Sequence, residues 1–125
     1  MDEDHLVAAF RYVALSPVKA KLVERAEDWP WASTRAHLAG VDTSYVKVGP
    51  ALSRTPDFAA FVAGTPEENP LWSDVLRAET IGRPVGAKEW IAELERVHGR
   101  TFSPQKRGPK PARASSSSPE APELF

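Results

Sequence analysis

The chain contains no cysteine. That absence removes a disulfide framework, a thiolate zinc site and a cysteine nucleophile at once. It also lacks any run of about 18 apolar residues, so no segment reads as a membrane-spanning helix and no membrane partner is expected. The first residues, MDEDHLVAAF, carry acids where a secretory signal carries bases. A cytoplasmic protein is the expectation. Net charge is scarce too: 16 basic against 17 acidic side chains leave -1 and a pI near 6.3, which argues against indiscriminate adhesion to nucleic acid. Acids are nevertheless missing locally. None occurs between Glu95 and Glu120, while Arg96, Arg100, Lys106, Arg107, Lys110 and Arg113 fall in that window.

The 125 residues, 42% apolar and 26% charged, suit one small globular unit or two helical subdomains sharing a modest core. Leu6, Phe10 and Val13 recur at helical spacing among alanines, predicting a helix from His5 to Leu15. Proline disfavours helical dihedrals at the residue before it, so Ser16-Pro17 predicts a break and a second helix over Pro17 to Arg25. Trp31 to Leu38 reads as a third helix closed by Gly40, the three packing around the tryptophans. Val41 to Arg54 has no sustained period and reads as loop. Thr55-Pro56-Asp57 then opens a helix through Phe58, Phe61 and Val62 to Gly64. Thr65-Pro66-Glu67-Glu68 has capping-box spacing, and Asn69-Pro70 restarts a helix through Trp72, Val75 and Leu76. After the Gly/Pro turn IGRPVG, Ala87 to His98 sets Trp90, Ile91, Leu94 and Val97 on one face, and Gly99 ends it. No strand-like run is long enough for a core sheet. The expected fold is all-α: short helices, a C-terminal helix-turn-helix-like pair, and a basic then Ser/Pro-rich tail, disordered from about residue 104. The expected divisions are 1–40, 41–64, 65–100 and 101–125.

The stretch RYVALSPVKAKLVERAEDWPWAS, followed by RAHLAG, holds a tyrosine, a Pro-Val pair, an acidic patch and a Trp-Pro-Trp knot in that order. It resembles the C-terminal half of the REP-associated tyrosine transposases, the single-tyrosine enzymes associated with repetitive extragenic palindromes. The likeness spans roughly residues 5 to 40 and continues more loosely through TIGRPVGAKEWIAELERVHGR. It implies DNA binding and, for Tyr12, the role of nucleophile: attack on a phosphodiester of single-stranded DNA, giving a 5'-phosphotyrosine link and a free 3'-hydroxyl. In the complete family a divalent metal, Mg or Mn, polarises the phosphate. It is held by a His-hydrophobe-His pair on a sheet strand and assisted by a polar side chain one helical turn beyond the tyrosine. Ser16 stands at that place here, where the family has asparagine.

His5, His37 and His98 are isolated, and no His-x-His occurs. No metal ligand is therefore assigned in this chain, and the family's catalytic sheet is expected to be absent from it. Met1 is expected to begin inside an ancestral transposase frame, and Tyr12 to be incapable of cutting DNA alone. The plainer reading of Tyr12 is a half-buried side chain with a polar handle. Trp29 and Trp31 are more readily core than base-stacking platforms. DNA contact is assigned to Lys19 and Lys21 beside Tyr12, to Arg83 and Lys88 at the last turn and helix, and to Arg100, Lys106, Arg107 and Lys110 beyond it. Single-stranded or hairpin DNA is the expected partner and a homodimer the candidate assembly. A non-catalytic helix-turn-helix DNA-binding protein and a helical interaction remnant are the competing functions.

Overall fold

Asp2 sets the start of the first helix. Its carboxylate accepts from the backbone N–H of His5 at 2.9 Å, and Glu3 and Asp4 place negative charge in the first turn, where the helix dipole favours it. In the computed structural model, which describes residues 1–109, this helix α1 runs Glu3–Lys19 without a break. The break expected at Ser16-Pro17 does not occur, nor does a separate helix to Arg25. Pro17 has no N–H to give the Val13 carbonyl, but the Ser16 hydroxyl donates to that same carbonyl at 2.7 Å and fills the gap.

The helix ends in a Schellman motif, with Leu22 N–H on the Pro17 carbonyl and Lys21 N–H on the Val18 carbonyl, both at 3.0 Å. That closure puts Lys21 at φ 59°, a left-handed conformation costly for a residue with a Cβ. Lys21→Gly is expected to stabilise the protein by about 0.5–1 kcal/mol, read as a higher urea midpoint at unchanged slope. An unchanged or lower midpoint would contradict the strain.

A single 3-10 turn at Ala26–Asp28 precedes α2, Thr34–Ala39, and Arg35 Nε reaches back to the Glu27 carbonyl at 2.6 Å. Gly40 closes α2 at φ 68°. Part of the expected loop is helical: α3 occupies Gly49–Leu52, with Pro50 in its first turn, where a missing N–H costs nothing. Asp57 caps α4, Phe58–Ala63, by accepting from Ala60 N–H. Thr65 makes no side-chain cap, and Pro66–Glu68 is one 3-10 turn. Asn69 caps α5, Pro70–Ala78, and after the 79–87 connector α6 runs Lys88–His98 to Gly99. That connector exceeds the three to four residues of a tight DNA-reading pair. Among the described residues there is no strand, so the fold is all-α. None of these helices is long and apolar enough to cross a membrane.

α1 is central because it has two buried faces. Phe10 meets His37, Phe58 and Phe61 of α2 and α4, with ring centroids 5.2, 5.6 and 6.0 Å away. On the opposite side, 200° around at helical pitch, Tyr12 meets Trp72 of α5 at 5.4 Å. Leu6 and Val13, expected beside Phe10 in the core, are exposed. The tryptophan-centred packing expected for 1–40 is also absent: Trp31 is 83% exposed and Trp29 half-buried, while Phe58 is 3% and Trp72 5% exposed. Along α6, Trp90, Ile91 and Leu94 are half-buried and Val97 is exposed, so the apolar stripe is only partly covered.

Candidate functional site

Because α1 is unbroken, Tyr12 and Lys19, seven residues apart, lie on one helix face. Both line a cleft of about 530 Å³ against α5, with Glu67, Asn69, Trp72 and Ser73 opposite. The Tyr12 ring is half-buried against Trp72, and its hydroxyl has no hydrogen-bond partner among the described residues. The Lys19 ammonium lies 5.5 Å from the Trp72 ring centre and pairs with the Glu67 carboxylate. A phenol, a cation and an indole thus share one opening.

The divalent ion that the family resemblance implies does not fit this donor set. Glu67 is engaged by Lys19, the Asn69 oxygen accepts from Leu71 N–H at 2.9 Å, and the Ser73 hydroxyl donates to the Pro70 carbonyl. The Ser16 hydroxyl is committed to Val13. Among the described residues no group of three His, Asp or Glu side chains is arranged to hold a metal ion.

The other basic residues separate into groups. Lys21 sits on the Schellman turn away from helix regularity, and Lys88 opens α6, exposed. Arg83 and Arg100, 17 positions apart in sequence, line one open cleft of about 870 Å³ between the Gly82–Pro84 turn and the segment after Gly99. Lys106 and Arg107 are exposed on non-helical chain. Lys110 and most of the expected disordered tail lie outside the described residues.

The most connected polar cluster was not expected from the sequence. His5, 5% exposed, places Nδ1 2.7 Å from Asp2 Oδ1 and Nε2 3.1 Å from Asp74 Oδ2. Asp2 Oδ2 also accepts from Ala87 N–H, and Asp74 Oδ1 from Arg77. Burial works against the imidazolium, yet the bonds to Asp2 and Asp74 prevail and raise the His5 pKa above its ordinary value. Burial also opposes the Asp2 charge, but the N–H of Ala87 and the backbone and ring of His5 hold that carboxyl down at about 2. Bonding to His5 lowers Asp74 against the opposing effect of burial, with Arg77 adding to the lowering. The spacing Asp-x-x-His at a helix start was the one local sign of this network; Asp74 is 69 residues from His5.

Searches of protein-family models, curated proteins and solved structures return no match to this chain.

Proposed function

We propose that this chain is the helical C-terminal part of a REP-associated tyrosine transposase that binds single-stranded or hairpin DNA in the cytoplasm and does not cut it by itself. The observation that carries this reading is the Tyr12 phenol, free of hydrogen bonds among the described residues and opening with the Lys19 ammonium onto one cleft. In the complete reaction implied by the resemblance, the phenol oxygen would form a bond to phosphorus as the bond from phosphorus to the 3'-oxygen breaks. The phenolic proton would pass to a base and the 3'-oxygen would leave as a hydroxyl. The chain's own part is to present Tyr12 on a rigid helix and a cation beside it. An unassisted phenol near pKa 10 is a poor nucleophile at neutral pH, and Glu67 already offsets the Lys19 charge. In the complete family, charge neutralisation at the phosphate would be supplied by Mg or Mn held by the His-hydrophobe-His pair, which this sequence does not contain.

A second reading is a non-catalytic DNA-binding protein in which Tyr12 is scaffold; the close packing of its ring on Trp72 favours it. Incubation of the full chain with labelled single-stranded palindromic DNA and Mg or Mn is expected to yield no denaturant-stable protein–DNA adduct. An adduct abolished by Tyr12→Phe would overturn the inactive assignment. Adduct formation only after an N-terminal half carrying His-x-His is added would separate the transposase reading from the scaffold reading.

A further inference from the structure

Four of the nine arginines among the described residues are held by carboxylates. Arg25 pairs with Glu27, Arg54 with Glu3, Arg77 with Asp74 and Arg96 with Glu93. Arg83 and Arg100, like Arg11, Arg35 and Arg107, have no carboxylate within ion-pair distance among the described residues, but these two line the same cleft. Among the described residues no acid lines it, whereas Ser103 and Gln105 add polar groups. Phe102 supplies an aromatic face, half-buried, with the Arg100 guanidinium carbon 5.8 Å from its ring centre and the His98 ring edge-on at 6.3 Å.

The wall containing Phe102 is held in place by one side chain. Glu95 Oε1 accepts from Phe102 N–H, from Ser103 N–H and from the Ser103 hydroxyl, each at 2.7 Å. Those three bonds fold the chain after Gly99 back along α6. Without them a short stretch rich in polar side chains has little apolar area with which to stay docked.

The geometry points to this cleft as a subsite for a short single-stranded stretch of nucleic acid, with Arg83 and Arg100 on successive phosphates and a base stacked on the Phe102–Arg100 platform. It rests on the DNA-binding reading and names the residues that would read the strand. Unpaired guanidiniums match phosphate, because they are fixed forks of donors with weak hydration. An aromatic face beside them selects a nucleic acid over a simple polyanion, since every base has a face to stack. It also selects a single strand over a duplex, whose bases are already stacked on one another. Glu95 is a positioning residue here: it touches no ligand and acts through the segment it holds.

Fluorescence anisotropy of a labelled oligothymidylate with the full chain, between about 50 mM and 200 mM salt, tests the subsite. Arg83→Gln with Arg100→Gln is expected to weaken binding about tenfold and to reduce the slope of log affinity against log salt by roughly 1.4, about 0.7 for each phosphate no longer neutralised. Phe102→Ala is expected to weaken binding about fivefold at unchanged slope, since stacking releases no counterion. Lys47→Gln, whose lysine pairs with Asp42 and does not line the cleft, should leave both unchanged. Glu95→Ala separates positioning from charge. Removing an acid near the cleft would tighten binding by electrostatics alone, whereas release of the Phe102 segment should weaken it.

If the wild-type chain binds the oligonucleotide but the double arginine variant binds equally with the same slope, the subsite is wrong and the DNA-binding reading survives on other residues. If the wild-type chain does not bind at the lowest salt, both fall. Displacement of the strand by polyglutamate as readily as by unlabelled oligothymidylate, at matched charge, would assign the cleft to an acidic peptide and overturn the proposal.

Discussion

Phe58→Ala is expected to lower the unfolding free energy by about 3–5 kcal/mol, the cost of a large cavity where the surroundings collapse only partly. The ring is 3% exposed and lies within 5.2 to 5.7 Å of His37, Phe10 and Phe61, so α1, α2 and α4 would all be left facing the same void. A domain of this size has about 5–15 kcal/mol in total, and the variant should melt near or below growth temperatures. Urea unfolding followed by helical circular dichroism checks the value. Trp31→Ala is the contrast: the larger side chain, 83% exposed, should change stability by no more than about 0.5 kcal/mol. Equal losses from the two substitutions would show that the core has been misplaced.

The second large effect is pH-linked. The His5 pKa is raised on folding, so its contribution is fully present below its ordinary value of 6.5 and is lost as pH rises through the raised folded value. Asp2 is depressed, so its contribution is present above its ordinary value of 3.8 and is lost as pH falls towards about 2; Asp74 follows the same sign. Stability should therefore peak between roughly pH 4 and 6.5 and decline on the alkaline side. Replacing His5 by alanine at pH 6 should cost about 2 kcal/mol through loss of charge-assisted hydrogen bonds. That corresponds to a thermal midpoint lower by on the order of 10 °C. The variant's midpoint should also become nearly flat from pH 6 to pH 9, where the wild type falls. A wild-type midpoint that rises over that interval would refute the assignment of a charged His5.

What was legible in the sequence was chemistry carried by neighbouring residues. Asp57 and Asn69 cap the helices they were expected to open, Gly40 and Gly99 close theirs at positive φ, and the IGRPVG stretch separates α5 from α6. Expectations failed where a compensating or competing side chain decided the outcome. Pro17 ends many helices, but here the hydroxyl one residue earlier substitutes for the missing donor. Side-chain size favoured Trp29 and Trp31 for the core, yet the two faces of α1 are covered by Phe58 on one side and Trp72 on the other. At the candidate sites, Tyr12 and Lys19 were singled out on two separate helices and share a face only because α1 runs through Pro17, while Arg83 was singled out by its place at the turn and Arg100 by the local excess of base. Their meeting in one cleft, and the place of Phe102 and Glu95 in it, depend on how the chain turns back after Gly99.

α1 leaves the ribosome before the segments that cover it. Alone, a 17-residue helix is marginal in water, and both of its faces wait for later chain: Phe58 on one side, Trp72 and Asp74 on the other, and Ala87 for its capping aspartate. At about 5–20 residues per second the nascent helix therefore spends several seconds with its aromatic rings uncovered. The interval ends only when α5 leaves the exit tunnel and Trp72 covers the second face, so the order of the helices along the chain, not the strength of α1, sets how long the rings stay exposed.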